Sequence, residues 1–259
     1  EEWLQCEWTG LRVLVDDVTT QWANFTFAGP RARELLQSLG STIDLSASTL
    51  PHMAVAEGEL AGLPVRVLRV SFSGECSFEV NLPANQATRF LAQALAAGTA
   101  FGLVPYGIEA LMLLRLEKGY LHVGSDTDGE TTPDDIGWGR VARAKTTDFI
   151  GKRSLFRPAS LDPQRKQLVG LLAVDTHQRM RAGAHLLLGE GRNAPALTDG
   201  WITSAAFSPH LGRYLALGML RAGRAHQGAL LTVVDESDRY PVRVVPMAFL
   251  DPQNERMKT

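Results

Sequence analysis

Ser73-Gly-Glu-Cys-Ser-Phe-Glu79 stands between two alternating stretches, Leu63-Pro-Val-Arg-Val-Leu-Arg-Val70 ahead of it and Phe78-Glu-Val-Asn-Leu82 overlapping its end. A period of two marks half-buried strands, and Gly74 supplies a break, so residues 63–82 predict a strand, a tight turn and a strand. If Phe78, Val80 and Leu82 face a core, Glu79 faces the other way with Ser77 and Asn81. On spacing alone, a glutamate there reads as the solvent face of an amphipathic sheet. The second reading gives it a ligand. A strand-anchored carboxylate can accept two parallel N–H donors in a bidentate, charge-assisted contact that fixes orientation.

Working outward, residues 11–28 carry β-branched and aromatic residues at strand spacing and run into Ala28-Gly-Pro30. Pro30 suits a first helical turn, Ala32, Leu35, Leu36 and Leu39 make an apolar stripe, and Gly40 can close it, which predicts a helix over about 30–39. Asn85 to Ala97 predicts a helix with Phe90, Leu91 and Leu95 on one face and Gly98 as its stop. Tyr106 to Lys118 predicts another, carrying Ile108, Leu111, Met112, Leu114 and Leu116 and closed by Gly119. Strands and helices mixed in this way point to an α+β layered domain over 1–157. The chain opens on what reads as a helix end followed by a strand at Arg12-Val-Leu-Val15, so further chain is expected before Glu1, with this domain lacking its first strands.

Near residue 158 the composition changes. Arg157-Pro158 and Asp162-Pro163 punctuate, and short strands follow at 167–173, 184–188, 200–206, 214–220, 229–234 and 241–249. They predict a smaller all-β domain over 158–259, a barrel or a sandwich. Gly-Glu-Gly-Arg at 189–192 reads as a turn.

Bulk properties exclude several functions. In 259 residues with a formal charge of -2 there is no basic excess of the kind that nucleic-acid binding uses. No apolar run approaches the ~20 residues of a membrane helix, and Glu1-Glu-Trp-Leu-Gln5 lacks the regions of a signal peptide, so a soluble, cytoplasmic protein is expected. Neither a dinucleotide fingerprint, a phosphate-cradling glycine loop nor an HExxH pair is present. Cys6 and Cys76 lack metal-ligand spacing and read as reduced, buried thiols, and the dispersed histidines suggest no metal site.

Taken in order, the motifs resemble the aminomethyltransferase superfamily of the glycine-cleavage T-protein. Ser73–Glu79 is similar to its T-G-E-x-G-[FVY]-E segment and Leu114-Arg-Leu-Glu-Lys-Gly119 to its L-R-L-E-x-G segment. Gly124-Ser-Asp126, Thr132-Pro133, Asp148-Phe-Ile-Gly151, Gly200-Trp-Ile-Thr-Ser204, Ser208-Pro209 and Leu217-Gly-Met219 follow in the family's sequence. Within it, Pro105–Ala110, Glu117–Tyr120, Asp126–Gly129, Thr132–Asp135 and Phe249–Pro252 look most like the alpha subunits of heterotetrameric sarcosine oxidases. The resemblance implies an aminomethyltransferase-like, tetrahydrofolate-binding domain followed by the small β domain, in an enzyme whose beta, gamma and delta subunits are the partners. It implies oxidative demethylation of sarcosine to glycine, with the one-carbon unit trapped as 5,10-methylenetetrahydrofolate and oxygen reduced to hydrogen peroxide. FAD, FMN and NAD would lie elsewhere in that enzyme. A glycine-cleavage aminomethyltransferase, a dimethylglycine dehydrogenase, and a non-catalytic module of folate-binding fold are the alternatives.

Residue by residue, the resemblance makes Glu79 the carboxylate that holds the pterin. Glu75 shapes the turn by accepting backbone N–H groups. Arg115 and Glu117 read either as a structural pair or as pocket residues. The family's arginine falls near Leu111, its tyrosine at Val123 and its pocket tryptophan at Arg140. Trp138 lies two residues early and either reaches the ring or packs in the core. The catalytic aspartate of the family is expected upstream, so no catalytic residue is assigned here, and Asp16-Asp17 reads as a turn.

Overall fold

The computed structural model describes residues 1–189 and 198–258, so the turn expected at 189–192 lies, from residue 190, outside the described residues. A short helix, α1 (Glu2–Cys6), opens the chain. Residues 12–18 form no strand, and Leu14 is 92% exposed. Strand propensity needs a neighbour to pair with, and here it finds one only at β1 (Trp22–Ala28). Before it, Asp17 Oδ1 accepts the Thr19 N–H at 2.9 Å, the local bond of a turn, and the same bonds to Thr19 hold the Asp17 carboxyl below the usual carboxylate range.

α2 (Ala32–Ser38) buries Ala32, Leu35 and Leu36, and Gly40 follows at φ 72°. Next come β2 (Val55–Leu60), β3 (Leu63–Leu68), β4 (Ser77–Pro83) and α3 (Ala87–Gly98). The four strands form one antiparallel sheet in the order β1-β4-β3-β2. The alternation around Glu79 does not foreshadow β2. Its hairpin to β3 turns through Ala61 and Gly62 at φ 56° and 67°, the paired positive φ of a two-residue turn. The predicted tight turn between β3 and β4 is instead the longer connection 69–76, because Arg69 and Cys76 fold inward and are buried. α3 also differs from its expected face. Phe90 and Ala94 are buried whereas Leu91 and Leu95 are 42% and 40% exposed, and Phe90 packs 5.6 Å from Phe25 and 6.1 Å from Phe27.

Further on lie α4 (Ile108–Lys118), α5 (Gly139–Ala144), α6 (Pro158–Leu161), β5 (Lys166–Ala173), β6 (His185–Leu188), β7 (Gly200–Ser208), β8 (Arg213–Arg221), β9 (Leu230–Asp235), β10 (Asp238–Val245) and α7 (Glu255–Lys258). The second set of strands closes into a barrel, β10-β5-β8-β7-β6-β9, which decides between the two predicted architectures. Alternation along β5 and β8 is two-sided. Val169, Leu171, Ala216 and Leu220 fill the barrel interior, while Leu168, Leu215, Leu217 and Met219 face outward against Leu116 of α4.

The chain divides into two compact units. Residues 1–71, 75–105 and 255 onward form one, and residues 72–74 and 106–254 the other. α4 therefore groups with the barrel in compactness, and one boundary between the two compact units falls at 105/106. The cause is the outward apolar row of β5 and β8, which needs a cover and takes it from α4 and the loop after it. Of the cysteines, Cys76 is buried as expected but Cys6 is exposed, and both are free.

Gly119 ends α4 at φ 76°, and a Cβ there would sit 2.3 Å from the Met247 carbonyl oxygen. Substituting Gly119→Ala meets both a left-handed backbone and a backbone clash, and should cost more than about 2 kcal/mol. Urea denaturation followed by circular dichroism checks this, and an unchanged midpoint would contradict the packing described.

Candidate functional site

Glu79 lies on β4, a central strand of the four-stranded sheet, with Thr26 of β1 directly opposite on one side and Leu68 of β3 on the other. Phe78, Val80 and Leu82 are fully buried, and the half-buried Glu79 and Asn81 take the other face, as the alternation requires. Asn24 Nδ2 donates to Glu79 Oε2 at 3.4 Å and to Asn81 Oδ1 at 2.9 Å. No described residue donates a side-chain hydrogen bond to Glu79 Oε1. The carboxylate thus stands on an open sheet face beside an apolar side chain, with one oxygen held and one presented.

What fixes this orientation is under the sheet. The Phe78 ring is flanked by two guanidinium groups, Arg69 at 4.8 Å and Arg33 at 5.3 Å from its centre. Arg69 is 2% exposed, and its Nη1 and Nη2 donate to the Ser77 and Met257 carbonyls at 3.0 and 2.6 Å. Burial pushes the Arg69 pKa down, and burial together with the Arg69 charge does the same to His52. With Phe78 pinned on the core side, its neighbour Glu79 is committed to the outer side. The alternation places Arg69 in phase with Leu63, Val65 and Val67, the one signal in the sequence that it would point inward.

The other motifs meet in the second unit, around Asp126. This fully buried carboxylate accepts from Arg115 Nη1 at 2.5 Å, Ser204 Oγ at 2.6 Å, Thr203 Oγ1 at 2.5 Å and the His122 N–H at 2.8 Å. Arg115 Nη2 donates in turn to Ser204 Oγ at 2.8 Å. Both Thr203 and Ser204 reach it because the β7–β8 register slips between Ile202 and Ser204, a bulge that re-aims one side chain. Arg115, read from the sequence as either pairing or lining a pocket, takes the first role. Its partner is Asp126 rather than Glu117.

Glu117 is 3% exposed and accepts from Ser208 Oγ at 2.5 Å, while its backbone carbonyl accepts from the Phe249 and Leu250 N–H groups. Glu75 accepts from Arg256 Nη1 at 2.8 Å. Trp138 precedes α5 and is 64% exposed, so it is not a core residue, and it lies in the unit that does not contain Glu79. Leu111 is half-buried and Val123 is exposed.

A concavity of about 520 Å³ lies against the barrel, its walls including Asp135, Arg165, Lys166, Asp199, Trp201 and Arg221. Glu79, Arg115, Glu117 and Trp138 do not line it, although motif residues such as Asp135 and Trp201 do. Its charges are largely spent on each other: Arg165 pairs with Asp135, Arg221 with Asp199, and the Lys166 ammonium sits 4.9 Å above the Trp201 ring. Burial works to raise the Asp135 pKa, yet the bonds from Arg165 and Thr132 hold it below the usual carboxylate range. Among the described residues no cluster of His, Cys, Asp and Glu could hold a metal ion.

Comparison with known proteins places this geometry. Residues 1–146 match the GCVT N-terminal domain, and residues 166–251 the glycine cleavage T-protein C-terminal barrel domain. The chain belongs to the GCVT family. A GCVT relative, the sarcosine oxidase subunit alpha of Corynebacterium sp. (strain U-96), is 38% identical over 259 residues, 99% of this chain and 27% of that protein. The aminomethyltransferase of Moorella thermoacetica is 30% identical over 249 residues, 95% of this chain and 64% of the relative. The crystal structure of the glycine cleavage system aminomethyltransferase T from Bartonella henselae shares the GCVT fold with a TM-score of 0.72 at 24% identity, covering 89% of this chain and 60% of that one. The chain thus spans about a quarter of the length of the sarcosine oxidase relatives it matches.

The Asp126 network predicts its own cost. Arg115→Met leaves a buried carboxylate without its cation and should destabilise the protein by about 3–5 kcal/mol, whereas Ser204→Ala should cost roughly 1–2 kcal/mol. Urea unfolding of the two variants beside the parent tests the ranking, and an equal loss in both would contradict it.

Proposed function

We propose that this chain is the tetrahydrofolate-binding part of a sarcosine oxidase alpha subunit. The observation that carries the reading is Glu79, a carboxylate held on the open face of β4 with one oxygen presented, at the position where the family motif has its pterin-holding acid. The fit to a reduced pterin is chemical. The pterin edge offers two parallel N–H donors, which a carboxylate accepts in bidentate fashion, and Leu68 beside Glu79 gives the ring an apolar neighbour. Identity of 38% to a sarcosine oxidase alpha subunit, against 30% to an aminomethyltransferase, favours the oxidase over the simple transferase.

In that enzyme sarcosine is demethylated oxidatively to glycine with formation of hydrogen peroxide. Bound tetrahydrofolate supplies an acceptor for the released one-carbon unit, giving 5,10-methylenetetrahydrofolate. The work of this chain is to bind and orient: Glu79 fixes the pterin edge, and with it the direction of the ring. FAD, FMN and NAD belong, in this reading, to other parts of the enzyme, and the partners are its beta, gamma and delta subunits. Arg115 and Glu117 serve the fold, and the catalytic aspartate is contributed from outside residues 1–259. The enzyme works in the cytoplasm, and no helix among the described residues is long and apolar enough to cross a membrane.

Isothermal titration of the full-length protein with folinic acid tests the site. Glu79→Ala should weaken binding by roughly 100-fold, the worth of two hydrogen bonds to a charged acceptor, and Glu79→Gln by somewhat less. Unchanged affinity in either variant would sink the reading.

A further inference from the structure

Asn24 stands out on the same sheet face, and neither the motifs nor the comparisons assign it a role. It lies on β1 directly opposite Asn81 and diagonal to Glu79, whose own partner on β1 is Thr26, two residues further on. Its side chain is exposed, so it contributes nothing to the core. Its amide is nonetheless committed: Nδ2 donates at 2.9 Å to Asn81 Oδ1 and at 3.4 Å to Glu79 Oε2. An amide has two Nδ2 protons and here spends one on each acceptor. Asn81 therefore sets the Asn24 rotamer, and Asn24 sets which way the Glu79 carboxylate lies.

From this geometry we infer that Asn24 is a positioning residue for Glu79, holding one carboxylate oxygen so that the plane of the group faces the ligand before it arrives. The inference rests on the pterin reading of Glu79 and deepens it. A glutamate has three side-chain torsions, and one that is only half-buried still samples several rotamers; each rotamer frozen beforehand is a cost that binding no longer bears. Oε2 has two lone-pair directions, so the Asn24 bond leaves it able to accept one ligand N–H while Oε1 accepts the other. The 3.4 Å contact is long in the free site and has room to shorten as the carboxylate is drawn into a bidentate pair. Because the clamp is an amide, it supplies a proton without adding a charge beside the acid.

Two substitutions in the full-length protein, titrated with folinic acid, read this out. Asn24→Ala removes the donor and should weaken binding about fivefold with the melting temperature unchanged, since the side chain packs against no core residue. Asn24→Asp keeps the shape but sets a second carboxylate against Glu79. Binding should fall by at least about 20-fold at pH 8 and should recover towards that of the parent near pH 5.5, where the pair takes up one proton that replaces the lost N–H. Parent and N24A should show no such recovery, and a purely structural role for Asn24 would not produce it. If N24A and N24D both bind as the parent does, or if N24D is weakened equally at every pH, the positioning role is overturned. Glu79→Gln in the same series separates the two ideas. Retained binding in E79Q removes the pterin reading itself, whereas weakened binding in E79Q with normal binding in the Asn24 variants removes only this inference.

Discussion

A carboxylate with no exposure has to be surrounded by donors, and Asp126 collects its donors from three separate segments of the chain. Arg115 comes from the last turns of α4, His122 from the loop that follows, and Thr203 and Ser204 from a bulge in β7. Removing such a group from water costs several kcal/mol, and the cost is recovered only when the geometry is complete. The side chains of Arg115, Thr203 and Ser204 are thereby held to narrow positions, and so are the elements that carry them. This explains why α4 belongs to the barrel unit. Its Leu116 covers the outward apolar row of β5 and β8, and its Arg115 locks the register of that cover.

In the other unit the analogous constraint is aromatic and cationic. Phe78 is held between Arg33 and Arg69, and Arg69 is tied by backbone carbonyls at the start of β4 and in α7. Because successive side chains on a strand alternate, anchoring one residue fixes the orientation of the next. Glu79 is displayed for a physical reason that lies on the opposite face of the sheet, and the bond from Asn24 completes its placement on its own face. A ligand-binding carboxylate on a central strand gains from this arrangement what a loop could not offer, since its backbone is paired on both sides.

Much of this was legible from residue order. The alternation through 63–82 contains the orientation of Glu79, and the short strands after residue 166 contain an all-β domain, though not the choice between barrel and sandwich, because period-two patterns report which side is buried but not how a sheet closes. What the sequence hid were matters of partner choice. Leu91 and Leu95 look like core on α3, yet the packed face runs through Phe90 and Ala94, since the phenylalanine cluster with Phe25 and Phe27 sets the helix rotation. β2 hides because its alternate positions carry Glu57 and Glu59 beside small residues, so its apolar phase is faint until β3 pairs with it. Asn24 could not be found at all from spacing. A polar residue on the exposed phase of an edge strand is ordinary, and only the cross-strand register brings it to Glu79.

The motif residues therefore divide by chemistry rather than by how closely they match a pattern. Where a polar side chain is buried and its partners are all protein groups, as with Arg115, Asp126 and Glu117, its bonding capacity is consumed by the fold and little remains for a ligand. Where the side chain is half-buried, orientated by a neighbour and left with an open acceptor, as with Glu79, capacity has been held back. The same criterion explains the concavity beside the barrel, whose arginines already face buried aspartates and whose lysine already rests on a tryptophan. Size alone does not make that hollow a site. Unspent hydrogen-bonding capacity on a rigid element chooses the open face of β4.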